Sequence, residues 1–172
     1  MKNYIYTFIL FVIFLCGACN KNIPTYEQLT DSKEGVYLYI SKALTGGKTI
    51  QLHPNIEASK ANFNVNYGGL GLPVSEIEIS IQIDKVAMDS INMNRKLNGM
   101  SEYKLMPEEA FSLDKNRLLI PSGKVNSDFA TISFDSSKLD LTNQYILALR
   151  ATNDKQYAFY EKGDLLVFYV TE

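Results

Sequence analysis

The side chains that could do chemistry are few in this sequence, and most stand apart. The single histidine, His53, lies beside Pro54. A histidine-based triad needs a nucleophile and an orienting acid around it, and no Gly-x-Ser-x-Gly elbow or comparable turn is present, so a solvated loop histidine is the simpler reading. Gly46-Gly47-Lys48-Thr49 echoes the end of a phosphate-binding loop, but the position that must hold the first glycine is Lys42. A hairpin turn accounts for the segment better. Tyr67-Gly68-Gly69-Leu70-Gly71 leads into another strand-like run rather than a dinucleotide helix, which makes these glycines turn residues with positive φ. Glu76 with Glu78, and Glu108 with Glu109, are paired acids of the kind that cleave glycosidic bonds from facing positions. Along one strand or one loop such pairs are ordinarily solvated rims. The aspartates show no calcium-loop spacing, and two cysteines with one histidine exclude cysteine-rich and histidine-rich metal centres. Neither a metal nor a cofactor is expected, and no catalytic residue is assigned.

Tyrosines are the remaining candidates. Tyr37 and Tyr39 alternate with Val36, Leu38 and Ile40, so if the aliphatic side is the core these rings face outward. Tyr157, Phe159 and Tyr160 crowd a later loop-strand region. Outward aromatic faces stack on sugar rings, which makes Tyr37, Tyr39, Tyr157 and Tyr160 candidate binding residues. Cross-strand packing, or cover for a partner domain, is the plainer alternative.

The elements that must position these rings are strands. Glu76-Ile77-Glu78-Ile79-Ser80-Ile81-Gln82-Ile83 sets four isoleucines against four polar residues, a pattern that only a half-buried strand separates onto two faces. The same period runs through Val36–Ser41 and Asn62–Tyr67, and further strands are expected at Ala110–Leu113, Arg117–Ile120, Phe129–Phe134, Tyr145–Ala151 and Leu165–Val170, parted by turn-forming clusters such as Pro121-Ser122-Gly123. Between Asp84 and Leu97 the alternation stops, and Asp84 is placed to cap a helix. A short helix over about residues 85–94, crossing between sheets, is expected. The fold class is all-β: an immunoglobulin-like antiparallel β-sandwich with one short helix.

The N-terminus reads as an address. Residues 1–19 hold 15 apolar residues: Lys2 precedes an apolar run ending at Cys16, then Gly17-Ala18-Cys19 and the polar Asn20-Lys21-Asn22. This is a signal peptide; a permanent transmembrane anchor would need about 20 apolar residues. The segment resembles a bacterial lipoprotein signal, which implies that Cys19 is acylated and becomes the first mature residue. Gly17 and Ala18 fit that cleavage site, whereas Leu15 before Cys16 does not. The expected organisation is a signal peptide at 1–18, a lipidated tether at 19–32 and one sandwich domain at 33–172, held to a membrane by lipid without spanning it. With the first 19 residues removed, 16 Lys and Arg face 19 Asp and Glu, a net charge of −3 with no basic block. That excludes the electrostatic footprint of nucleic-acid binding.

Asn62-Phe63-Asn64-Val65-Asn66-Tyr67-Gly68-Gly69, Leu72-Pro73 and the Glu76–Asp84 strand resemble a family, and the likeness continues through Tyr103, Leu105, Pro107, Phe111, Leu113, Ile120, Ser122-Gly123, Ser127, Leu139 and Tyr145–Leu149. It is the uncharacterised N-terminal β-sandwich domain of Bacteroidetes surface lipoproteins, found ahead of family-18 glycosidase-like and laminin-G-like modules. The resemblance implies a non-enzymatic outer-membrane lipoprotein of the cell envelope, facing either the periplasm or the surface, that serves as a glycan-binding or accessory module of a polysaccharide-utilisation system; the alternative is a structural or adhesive module that binds an envelope protein through a sheet edge or aromatic face. It carries no catalytic residues with it.

Overall fold

The computed structural model describes residues 35–52, 58–154 and 157–171. The signal segment, Cys19, the tether and His53 therefore lie outside the described residues. In chain order the elements are β1 (Tyr37–Ile40), a single turn α1 (Ser41–Leu44), β2 (Lys48–Gln51), β3 (Ala58–Phe63), β4 (Val65–Gly68), β5 (Ile77–Ile83), α2 (Lys85–Leu97), β6 (Lys104–Leu105), β7 (Phe111–Leu113), β8 (Arg117–Ile120), β9 (Ala130–Asp135), β10 (Tyr145–Asn153), β11 (Ala158–Phe159) and β12 (Leu165–Thr171).

These strands form a six-stranded sheet, ordered β2-β12-β10-β5-β8 with β6 also on β10, and two three-stranded sheets, β11-β1-β4 and β3-β9-β7. The run Ala61, Phe63, Val65, Tyr67 is buried at every second residue, as its alternation requires, but the chain changes partner in the middle: β3 pairs with β9 and β4 with β1. One strand-like stretch thus serves both small sheets. Their inner side chains and those of the large sheet make one buried cluster, with Phe134 of β9 edge-on to Phe168 of β12 at 5.5 Å. The all-β sandwich expected from the sequence is the fold found. Most pairings are antiparallel, and β1–β11, β6–β10 and β2–β12 are parallel.

Two expectations need correction, and a third has a limit. Gly46-Gly47 is not a hairpin turn, because β1 and β2 belong to different sheets; the glycines follow α1, and β2 runs parallel to β12. Ile83 lies on the same face as Ile77, Ile79 and Ile81, opposite Leu149 of the core cluster, but at the rim of that face, where it is 41% exposed. The helix extends to Leu97 and does not cross between sheets. β5 and β6 both pair with β10, at Leu149–Asn153 and at Tyr145–Ile146, and α2 spans the outer face of that same sheet.

Covering that face is what α2 does. Ala87 and Met88 pack on Ile146, Ala148 and Val167, so β10 is buried on both sides, which explains its unbroken apolar run Tyr145–Leu149. The Asp84 carboxylate accepts the Ala87 amide at 2.9 Å and caps the helix. Asn92 exchanges two hydrogen bonds with the Tyr103 backbone, at 2.8 and 2.9 Å. At the far end Gly99 adopts φ +70° while the Gly99 and Met100 amides donate to Lys96 and Arg95 carbonyls, a paired closure that stops the helix.

Candidate functional site

The outer face of β11-β1-β4 carries three tyrosines. Leu38 of β1 is fully buried, so pleating turns Tyr37 and Tyr39 to the other side. Tyr37 pairs with Gly68 on β4 and with Ala158 on β11, neighbours too small to cover it. A Cβ at Gly68 would stand 3.1 Å from the Tyr39 ring, so the absence of a side chain there gives that ring its place. Gly68 has no positive φ, unlike Gly69; its role is clearance, not turning.

Tyr160 is brought to this face by a turn. Its amide donates to the Leu38 carbonyl at 2.9 Å, and the Ile40 amide donates to the Gly163 carbonyl at 2.8 Å, which locks the turn along β1. Gly163 is buried against Tyr39: a Cβ would meet Tyr39 Cβ at 2.9 Å and the Tyr160 carbonyl oxygen at 2.6 Å. Lys162 takes a left-handed φ of 57°, a rare conformation for a side-chain-bearing residue. The outcome is an edge-to-face pair: Tyr37 and Tyr160 ring centroids lie 5.9 Å apart at 77°, and both residues are more than 40% exposed. Below Tyr39, Asn66 Nδ2 donates to Ser41 Oγ at 2.8 Å and to the Tyr39 carbonyl at 3.3 Å. The residues that follow Tyr160, Glu161 and Lys162, line a separate groove of about 510 Å³ with Ala43, Leu44 and Gly46.

Of the four sequence-predicted tyrosines, Tyr37, Tyr39 and Tyr160 share this face. Tyr157 does not. It has the parity of Phe159, packs with it against the core, and stands edge-on to the buried Tyr67 at 6.1 Å. The alternation from Tyr157 to Tyr160 already carries that distinction. The glycines at 68 and 163, which shape the face, have no signal in the sequence beyond being glycine.

One acid of each pair is engaged elsewhere. Glu78 bridges to Arg117 at 3.1 Å and Glu108 to Lys85 at 3.6 Å, all on the surface. Among the described residues, no three acidic, histidine or cysteine side chains converge as metal ligands. In the groove lined by Gln82, Asp84, Lys85, Arg150 and Thr152, Arg150 is engaged by Asp84 and Asp164 and Lys85 by Glu108. Burial opposes the charged form of Asp84, but the Ala87 amide and Arg150 outweigh it and hold the carboxyl below its ordinary pKa.

No functionally curated protein matches the chain by sequence. Solved structures do match in fold. A carbohydrate-binding candidate from Bacteroides ovatus superposes with TM-score 0.63 at 12% identity, over 79% of this chain and 37% of its own. EndoBT-3987 from Bacteroides thetaiotaomicron, solved with Man5GlcNAc product, gives 0.59 at 12%, over 78% and 30%. An auxiliary nutrient binding protein from the same species gives 0.53 at 16%, over 88% and 47%. The chain thus spans less than half the length of each. A family model described as an N-terminal domain matches residues 30–158, and the chain belongs to that family of N-terminal domains, the one its core and turn residues resemble.

Proposed function

We propose that the chain is a non-enzymatic, saccharide-binding lipoprotein of the cell envelope, anchored to the outer membrane through acylated Cys19 and working as a capture or accessory module of a glycan-uptake system. The observation that carries the reading is the exposed Tyr37–Tyr160 pair. Two rings held at a steep angle form a corner in which a sugar can lay its C–H face on one ring while its rim meets the other, and Glu161 and Lys162 follow Tyr160 directly in the chain. A site that combines apolar area with a few placed polar groups fits a small ligand. Proteins of similar fold include one solved with Man5GlcNAc and a nutrient binder, which supports the ligand class by analogy of fold.

The test is calorimetry and glycan-array binding of the full chain in detergent, with Man5GlcNAc and with host and plant polysaccharides. Binding that falls about tenfold or more in Tyr37→Ala and Tyr160→Ala, at unchanged melting temperature, is expected from loss of one stacking face. Absence of saccharide binding, with a co-purifying envelope protein, would replace the reading with a protein-interaction module. Mass spectrometry of the mature N-terminus tests the anchor: an unmodified Cys19 would overturn it.

A further inference from the structure

The helix α2 has two apolar sides. One, with Ala87 and Met88, packs on the large sheet. The other holds Val86, Met93 and Leu97, followed by Met100 in the closing turn, and these are 76%, 65%, 74% and 48% exposed. At about 100° per residue, Val86, Met93 and Leu97 fall within an arc of roughly 40°, on the side of the helix away from Met88. Ser90 stands between Val86 and Met93 on this side, its hydroxyl turned back to the Val86 carbonyl, and Met93, Leu97 and Met100 follow one another; exposed apolar residues grouped in this way mark a contact.

The charges beside the row identify the partner. Asp89 and Lys96 are both exposed, seven residues apart, and therefore on the same flank. A two-fold axis crossing the helix midway between them sets Asp89 opposite the partner's Lys96 and Lys96 opposite the partner's Asp89. The same axis sets Met93 near the partner's Met93, and Val86 near the partner's Leu97 and Met100. A parallel pairing about an axis along the helix would set this flank against that of Ser90 and Asn94, which holds no charge to meet it. Lys85 on the same flank is taken up by Glu108, which leaves Asp89 and Lys96 as one unlike pair and not a basic surface for anionic lipid. Lys96 is released for this at little cost, because its present bridge to Glu102 is exposed and 3.8 Å long. We propose that α2 is a self-complementary interface through which two copies of this chain associate in antiparallel, two-fold fashion. The interface is on a different sheet from the Tyr37–Tyr160 face and does not depend on the saccharide reading.

The test uses the full chain extracted in mild detergent and analysed by sedimentation across a concentration series. The parent chain is expected to form dimers. Asp89→Lys and Lys96→Asp each create two like-charge oppositions and should each weaken association at least about tenfold. The double variant Asp89→Lys/Lys96→Asp restores opposition of unlike charges and should recover dimers. In intact cells, Met93→Cys should give a disulfide-linked dimer on oxidation that the parent does not give. Because all three positions are on the surface, circular dichroism should show unchanged folding in every variant. A parent chain monomeric throughout, a double variant that stays as weak as the singles, or recovery of α2 on anionic vesicles without dimers would overturn the proposal.

Discussion

Asp84 and Arg150 join the helix to the centre of the large sheet through one carboxylate. One oxygen of Asp84 caps α2 at the Ala87 amide, and the other accepts from Nε of Arg150 on β10, whose Nη1 is held by Asp164. The cap thus anchors the helix to the strand that it covers.

Replacing Asp84 separates the two roles. Asn caps as well as Asp but cannot pair ionically, so Asp84→Asn should cost about 1 kcal/mol, the Arg150 side chain being 39% exposed and its pairing partly screened. Asp84→Ala loses the cap as well and should cost about 2–3 kcal/mol. Urea denaturation measures both. Equal losses would mean that the cap contributes nothing.

Acid should destabilise the fold through the same group. The folded-state pKa of Asp84 is depressed: burial opposes it, and the Ala87 amide and Arg150 overcome that. Asp128 is likewise depressed, with burial outweighed by Lys115 and the Leu119 amide. A depressed carboxyl contributes stability that is fully present above its unfolded pKa of about 4 and is lost as pH falls through the folded value. Unfolding free energy should therefore be level from pH 7 to 5 and decline below pH 4. In Asp84→Asn the decline should be shallower; an identical decline in both proteins would assign it to other groups.

Much of this fold is legible from residue order, and what is not has a physical reason. The alternation in Glu76–Gln82 locates β5 and its buried face, and Asp84 marks the start of α2, because both are local patterns. β2 gives no such signal: Lys48-Thr49-Ile50-Gln51 has one buried residue and is held by parallel pairing to β12, over a hundred residues away. The unbroken apolar runs of β10 and β12 make sense only once α2 is known to cover their second face. At the tyrosines, alternation shows that Tyr37 and Tyr39 point outward. That Tyr160 meets Tyr37 depends on the register of a two-residue strand, which no local pattern encodes.

Two glycines should respond differently to alanine. Gly123 has φ +72° and open space where a Cβ would stand, so Gly123→Ala should cost only the left-handed penalty, about 1 kcal/mol. Gly163 is in an ordinary backbone region, yet a Cβ there would strike the Tyr160 carbonyl oxygen at 2.6 Å. Gly163→Ala should cost about 2–3 kcal/mol and move the turn that carries Tyr160. Thermal melts rank the two, and the reverse order would contradict the clearance role given to Gly163.

The switch of partners between β3 and β4 rests on Ser127. At the break, the Val65 amide donates to Ser127 Oγ at 2.9 Å, and that hydroxyl donates to the Asp128 carbonyl at 2.7 Å. Around it, the Ser127 amide donates to the Val65 carbonyl at 2.9 Å, and the Tyr67 amide donates to the Val125 carbonyl at 2.8 Å, so the segment before β9 lies along β4. Ser127 and Val65 are both buried, and a backbone amide left without an acceptor there costs the full loss of its hydration. Ser127→Ala keeps the shape but removes the acceptor for the Val65 amide and the donor to the Asp128 carbonyl, and should destabilise the protein by about 1–3 kcal/mol. Amide hydrogen exchange provides the local readout: Val65 should lose protection more than β5 or β10 does. Uniform loss across all three would show that Ser127 contributes to general packing and does not hold the switch.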